Sequence, residues 1–293
     1  MEVVKKTDAI RGIVTSLKRR GETIGFVPTM GYLHRGHTSL MKQAKRECNR
    51  VIISIFINPI QFGPNEDFER YPRDFESDRN LSKQAGVDYI FYPNREEMYG
   101  KNFETFVEIG KLSKIMCGKA RPGHFKGVCT VVLKLFGIIN PDKAYFGEKD
   151  YQQLVIIKKM TEDLNLPVKI VGCPIIREND GLALSSRNKY LSKEERENAI
   201  ILYQSLKFAE ELINKGEREV KKIKNIAIEK LMTNPAITAI DYFDFRDPLT
   251  LEDFKELGKI GSDKKLKKVL IATAVWIGKT RLIDNIVVNY SFN

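Results

Sequence analysis

The sequence predicts a doubly wound α/β architecture, a parallel sheet with helices on both faces, followed by a smaller α+β domain. Three observations carry that expectation. Short apolar runs alternate with helix-spaced runs from Ile24 to Val171. Those apolar runs are continuous rather than alternating, as strands buried on both faces are. After Tyr190 the pattern turns to charged helical stretches and then to strand-like runs. At 293 residues the chain exceeds the usual single-domain size of about 100 to 200 residues, so two domains are expected, at 1–184 and 185–293.

In order, residues 24–27 form an apolar run ended by Pro28, a buried parallel strand. Residues 38–47 place Leu40, Met41 and Ala44 at helical spacing, in a helix reaching about Arg50. Residues 51–57 read as a fully buried strand, 74–85 as a helix and 88–92 as a strand. A helix over 127–139, a strand over 144–146, a helix over 150–164 and a strand over 168–171 complete the first domain. In the second, Ser192-Lys193-Glu194-Glu195 is a capped helix start. Helical segments follow to about Met232, then strands over 240–245, 269–276 and 282–289.

Composition narrows the function. No run of about 18 uncharged apolar residues exists. The first residues, with Glu2, Lys5, Lys6 and Asp8, lack the apolar core of a secretory signal, so a cytoplasmic protein without membrane attachment is expected. Cys48, Cys117, Cys129 and Cys173 show neither Cys-x-x-Cys spacing nor nearby histidines, which leaves reduced core thiols. A formal charge of +11 suits nucleic acid, an acidic membrane or anionic small substrates. The densest clusters, Lys221-Lys222-Ile223-Lys224 and Lys264-Lys265-Leu266-Lys267-Lys268, have no interleaved aromatics and read as solvated faces. Small anionic substrates remain, with no nucleic-acid partner.

Two of the three histidines sit in one strand-to-helix turn, Pro28-Thr29-Met30-Gly31-Tyr32-Leu33-His34-Arg35-Gly36-His37. First-turn amides of a helix lack intrahelical partners and lie at the positive end of the dipole, so they attract an anion. Gly31 and Gly36 permit close backbone approach. Two imidazoles add donors suited to charge building on phosphorus. The chemistry these residues suggest is nucleotidyl transfer. Ligands of such sheets bind beyond the carboxyl ends of the strands, which selects the loops Asn58-Pro59-Ile60-Gln61-Phe62, Gly147-Glu148-Lys149-Asp150 and the segment leading to Ser185-Ser186-Arg187. The third histidine, in Arg121-Pro122-Gly123-His124-Phe125-Lys126-Gly127, occupies another glycine-bounded basic loop.

Six segments in order, the histidine turn, Ser54 to Phe62, Tyr71-Pro72-Arg73, Arg121 to Phe125, Phe146 to Leu154 and Asp180 to Asn188, together resemble the pantoate–β-alanine ligase (pantothenate synthetase) family, within the His-x-Gly-His nucleotidyltransferases. The resemblance spans nearly the whole chain; the C-terminal third matches mainly in length and pattern. It implies a Rossmann-like catalytic domain with a smaller lid domain, and an AMP-forming ligase. In that chemistry (R)-pantoate attacks the α-phosphorus of ATP, diphosphate leaves, and β-alanine takes up the pantoyl group with release of AMP. It also implies His34, His37 and Lys149 as catalytic groups. ATP would be held by Met30, Gly31, Tyr32, Leu33, His34, Arg35, Gly36, His37, Gly147, Glu148, Lys149, Asp150, Ile176, Leu184, Ser185, Ser186 and Arg187. Asn58, Gln61 and Gln153 would meet pantoate, and Gln61 also β-alanine. Mg²⁺ would accompany ATP, with Asp78 at a position suspected of metal contact. Residues 63–73 would be a flap or a plain connection. A homodimer is the implied assembly.

The chemistry of an amide ligation agrees with this. A carboxylate has no usable leaving group for amine attack, so it must first become a mixed anhydride, shielded from water. Two alternatives stand beside it. An adenylyl transferase acting on a phosphorylated precursor should carry more Lys or Arg where Asn58 and Gln61 stand. A basic RNA-binding protein on the same fold should form complexes that weaken steeply with salt.

Overall fold

The computed structural model of the chain describes residues 1–64, 66–258 and 267–291. Lys264, Lys265 and Leu266 of the second lysine cluster, and Asn65 of the 63–73 connection, lie outside them. In order the elements are β1 (Glu2–Val4), α1 (Thr7–Arg19), β2 (Ile24–Thr29), α2 (Arg35–Glu47), β3 (Arg50–Ile55), α3 (Phe75–Gln84), β4 (Tyr89–Phe91), α4 (Arg95–Met98), α5 (Met116–Ala120), α6 (His124–Ile139), β5 (Lys143–Gly147), α7 (Tyr151–Asp163), β6 (Lys169–Cys173), α8 (Lys193–Asn198), α9 (Ile201–Asn214), α10 (Val220–Met232), β7 (Ile237–Arg246), β8 (Lys267–Ile277) and β9 (Thr280–Tyr290). Two compact units result, Met1–Glu148 with Ile156–Ile176, and Lys149–Val155 with Arg177–Asn293.

In the first unit six strands pair in the order β1-β4-β3-β2-β5-β6, every pairing parallel. This is the wrapped parallel sheet expected from the alternating runs. Its carboxyl ends share one edge. The strand order reverses between β2 and β5, and a crevice at such a switch point is where open α/β sheets bind ligands. Thr29 and Gly147 end the two strands that flank it.

Burial explains why these strands lack alternation. Ile24, Phe26, Val27, Val51, Ile52 and Ile53 are all inaccessible to solvent, so both faces of β2 and β3 are covered. β2 also continues through Pro28, the residue expected to end it. Pro28 pairs with β3, whereas the β5 pairing extends only over Gly25 and Phe26, so on that side no ladder is interrupted by the missing N–H. α2 lies close against β2: a Cβ at Gly25 would stand 3.1 Å from that of Ala44 and 3.2 Å from that of Cys48.

Three differences from the expected boundaries matter. β1 and α1 precede the first strand read from the sequence, with Ile10, Val14 and Leu17 of α1 buried at helical spacing. α2 begins at Arg35 rather than Thr38, and α6 at His124 rather than Gly127. Each of those shifts puts histidine at a helix N-terminus.

In the second unit α8, α9 and α10 accompany an antiparallel sheet ordered β7-β8-β9. Its core includes Leu206, Ile213, Ile223, Leu231, Phe243, Phe245, Ile271 and Val275. Ile223 turns inward from the first lysine cluster, while Lys222 pairs with Glu217 and Lys224 with Asp244; this face is solvated and ion-paired, as expected. All four cysteines are buried and none forms a disulfide, and burial pushes the thiols of Cys129 and Cys173 up to about 12 and about 11. Among the described residues no helix is long and apolar enough to cross a membrane.

The end of α2 carries a test of acid stability. Glu47 is held down to about 2 by hydrogen bonds from Lys143 and Gln43, against burial, with Tyr145 adding a further bond. Its folded value lies below the ordinary 4.5. The stabilisation is therefore present above pH 4.5 and lost as pH falls toward about 2. Glu47→Gln should melt below the parent at neutral pH, the two curves converging across that acid window. Parallel melting curves throughout would remove Glu47 from the account.

Candidate active site

The loop leaving β2 is built around a buried carboxylate. Asp78, in the first turn of α3, accepts the backbone N–H groups of Tyr32 (2.8 Å) and Leu33 (2.6 Å). Gly31 and Tyr32 adopt positive φ values of 83° and 51° to present those amides. A Cβ at Gly31 would fall 2.9 Å from Asp78 Oδ2 and 3.0 Å from Ile55, so only glycine fits beneath the turn. Thr29 ties down its start, donating to the Ser54 carbonyl and accepting from Gly31 N–H. Burial raises the Asp78 carboxyl above its ordinary value, opposed by the two amide bonds.

The loop ends by starting α2 with a reciprocal cap made of histidines. His34 is the N-cap; its Nδ1 accepts the N–H of Gly36 at 3.1 Å. His37 Nδ1 in turn accepts the N–H of His34 at 3.3 Å. The rings lie 4.1 Å apart, tilted by 48°. Because each Nδ1 is an acceptor, each neutral imidazole carries its proton on Nε2, a donor on the ring edge opposite the cap. No acidic residue occupies the first turn of α2. The positive end of the helix dipole is therefore not neutralised by a carboxylate of its own first turn.

A second turn follows β3. Asn58 precedes a single 3₁₀ turn, Pro59–Gln61. The Asn58 side-chain N–H₂ donates to Gln61 Oε1 (3.0 Å) and to the Gly127 carbonyl (3.1 Å), while its oxygen accepts from the Tyr99 hydroxyl (2.8 Å). Burial holds the Tyr99 phenol above its ordinary value, which keeps it a donor. The Gln61 amide N–H₂ approaches Met30 Sδ at 3.1 Å. The loops after β2 and β3 therefore meet at Gln61 and Met30. Asn58, expected at the acid, has its amide occupied inside the protein. Asp78, expected near a metal, has both oxygens on backbone amides, and among the described residues no group of three or more His, Cys, Asp or Glu side chains is arranged to hold an ion.

Gly147, Glu148 and Ile176 belong to the first unit, at the ends of β5 and β6. Lys149, Asp150, Gln153, Leu184, Ser185, Ser186 and Arg187 belong to the second. There the Asn285 amide of β9 donates to the Lys149 carbonyl at 2.9 Å, and Lys149 Nζ stands 3.8 Å from Asp150. Ser185 caps the 3₁₀ turn Ser186–Tyr190 by accepting from Arg187 N–H at 3.2 Å. The approach to that turn is fixed by Arg177, which donates to both carboxylate oxygens of the buried Asp284 (2.7 and 2.9 Å) and lies 4.1 Å above the Tyr203 ring. Gln153 is half-buried in the first turn of α7.

Tyr99, Gly127, Asn285 and the structural use of Asp78 were missed from sequence. Their partners lie tens of residues away, and only the acid near the start of α3 left a local sign.

The family model described as pantoate-beta-alanine ligase matches residues 2–287. The pantothenate synthetase of Caldicellulosiruptor saccharolyticus is 57% identical over 288 residues, covering 98% of this chain and 99% of that protein. That of Thermotoga neapolitana is 51% identical over 285 residues, covering 97% and 99%. A crystal structure of pantothenate synthetase from Thermus thermophilus superposes with a TM-score of 0.89 at 44% identity, over 98% of this chain and 99% of that one. The Francisella tularensis pantoate-beta-alanine ligase, complexed with beta-gamma ATP and beta-alanine, gives a TM-score of 0.77 at 34% identity, over 98% and 97%.

Proposed function

This chain belongs to the pantoate–β-alanine ligase family, and from that premise we propose how its own residues divide the work. The protein is an amide-forming ligase that makes pantothenate from pantoate and β-alanine with ATP. The observation that carries the division of roles is the histidine cap at the carboxyl end of β2, beside the switch point.

In the first step a pantoate carboxylate oxygen bonds to the α-phosphorus, and the bond to the bridging oxygen breaks as diphosphate leaves. His34 and His37 donate from Nε2 to the phosphate oxygens, and the first amides of α2 add their dipoles. Fixed donors need no reorganisation as charge develops, so they favour the transition state over the ground state. Gln61 binds the hydroxy acid with a neutral amide, adding no negative charge beside the triphosphate. Asn58 acts behind it by fixing Gln61 Oε1. Gln153 is the second acid-binding amide. In the second step the β-alanine amine attacks the pantoyl carbonyl and AMP leaves with the bonding pair. Gln61 is the acid-site group that also meets β-alanine.

Lys149 places a cation on the phosphates, joined by Ser185, Ser186 and Arg187 as donors. Lys149→Ala should raise the KM for ATP by about 10- to 100-fold, the scale of one charge-assisted hydrogen bond, with a smaller change for pantoate. An unaltered ATP KM would remove the lysine from this role. Mg²⁺ accompanying ATP would supply charge neutralisation on the phosphates. Asp78 does not fit as its ligand, since its two carboxylate oxygens accept the Tyr32 and Leu33 amides.

The decisive assay is diphosphate release with ATP and pantoate. Without β-alanine, one equivalent per active site is expected, and with β-alanine, continuous turnover. Release that strictly requires β-alanine would overturn the adenylate route. We read the assembly as a cytoplasmic homodimer; a sedimentation mass of 33.6 kDa, that of one chain, would contradict the dimer.

A further inference from the structure

The turn bearing Gln61 is backed by the first turn of α6, where the chain's third histidine sits. His124 is buried, and its Nδ1 lies 2.8 Å from the Gln61 carbonyl oxygen. Its Nε2 lies 3.0 Å from Arg121 Nη1. An arginine can only donate, so Nε2 accepts and the ring proton resides on Nδ1. The tautomer is dictated by the arginine, and the histidine consequently donates to Gln61. Arg121 is itself held by Glu66, with Nε donating to Oε1 at 2.9 Å and Nη2 engaging Oε2. One turn along α6, a Cβ on Gly127 would fall 2.4 Å from the Ile60 carbonyl and 2.6 Å from Gln61 Cα. Helix backbone and turn backbone are in direct contact there.

We propose that His124 is a positioning residue for the acid site, fixing Gln61 through its carbonyl so that the Gln61 amide is presented to pantoate. The proposal rests on the reading of Gln61 as acid-binding. Three constraints converge on this one residue. His124 pulls its carbonyl toward α6, Gly127 sets how near the turn can come, and Asn58 orients its side chain. Glu66 ties the chain just beyond the turn to the same helix end through Arg121. With the main chain of Gln61 fixed and Asn58 holding Oε1, the direction of its N–H₂ group is determined before substrate arrives. Such pre-organisation matters because small displacements of a substrate-orienting group have large kinetic effects.

The test compares His124→Ala, His124→Asn, Gln61→Ala and the double alanine variant by steady-state kinetics and thermal melting. Asparagine can place its amide N–H₂ close to where Nδ1–H stands. His124→Ala should raise the pantoate KM about tenfold, leave the ATP KM within about twofold, and be largely rescued by His124→Asn. On the Gln61→Ala background it should add little, since a group acting through Gln61 loses its effect once that side chain is gone. A lowered melting temperature with an unchanged pantoate KM would overturn the positioning role while leaving Gln61 as the acid contact. An unchanged pantoate KM in Gln61→Ala would overturn the reading of Gln61 and the proposal with it. Should His124→Ala not fold, Glu66→Gln replaces it, removing the charge that anchors Arg121. A pantoate KM raised about threefold is then expected, and an unchanged value overturns the proposal.

Discussion

Replacing His37 with alanine lowers the rate of diphosphate release from ATP and pantoate by at least about 10²-fold, the scale for losing one donor aimed at a developing oxyanion. The ring does two jobs, and the variant separates them. Its Nδ1 accepts the His34 N–H as half of the reciprocal cap, and losing a cap costs about 1 kcal/mol. That lowers the melting temperature by a few degrees and leaves the fold in place. Its Nε2–H is the donor to phosphate, and losing it lowers kcat and kcat/KM together, because the interaction belongs to the transition state. Turnover within about threefold of the parent, with the melting temperature lowered as stated, would assign His37 to the helix cap alone.

Asp78→Asn has the second-largest effect, an expected loss of about 10- to 100-fold in the same rate. Asparagine keeps one acceptor oxygen and sets an N–H₂ group against one of two backbone N–H groups, a donor facing a donor. An unsatisfied buried amide costs about 1–3 kcal/mol. The turn also contains Tyr32 at φ 51°, a conformation that persists only while its surroundings enforce it. Released from the carboxylate, the turn relaxes and carries His34 out of line. The pH dependence has a definite sign. Burial raises the folded value of Asp78 above its ordinary 3.8, so between those limits the native state binds more proton than the unfolded chain. Stability falls as pH rises through that window and is level above it. Asp78→Asn abolishes this slope. A variant with parental rate and parental pH dependence would show that the two amides need no anion.

Much of the first unit was readable because its strands are buried on both faces and its helices carry apolar residues at regular spacing. Ile52 and Ile53 announce β3 without any partner in view, and the helix expected over 74–85 forms as α3, with Asp74 as its N-cap. β1 was not readable: three residues at a sheet edge give no periodicity. The starts of α2 and α6 were misplaced by three residues for different reasons. Histidine is outside the usual set of N-cap residues, and Gly123 at φ 82° turns the chain into α6 where sequence shows only another glycine. At the site, the histidine turn identified itself, since anion chemistry is local to a strand–helix junction. What supports it did not. Asp78 reaches amides 45 and 46 residues away, and the Asn58 amide reaches the Gly127 carbonyl across 69 residues. Nothing within a local window distinguishes such an aspartate from a solvated one.

The bond from the Asn285 side chain to the Lys149 carbonyl has a consequence for the life of the polypeptide during its synthesis. Lys149 leaves the ribosome long before its anchor, which lies 136 residues later. A nascent chain carries all six parallel strands, through Cys173, while the lysine still lacks this tether. The Lys149 carbonyl can therefore be fixed only after β9 has been made.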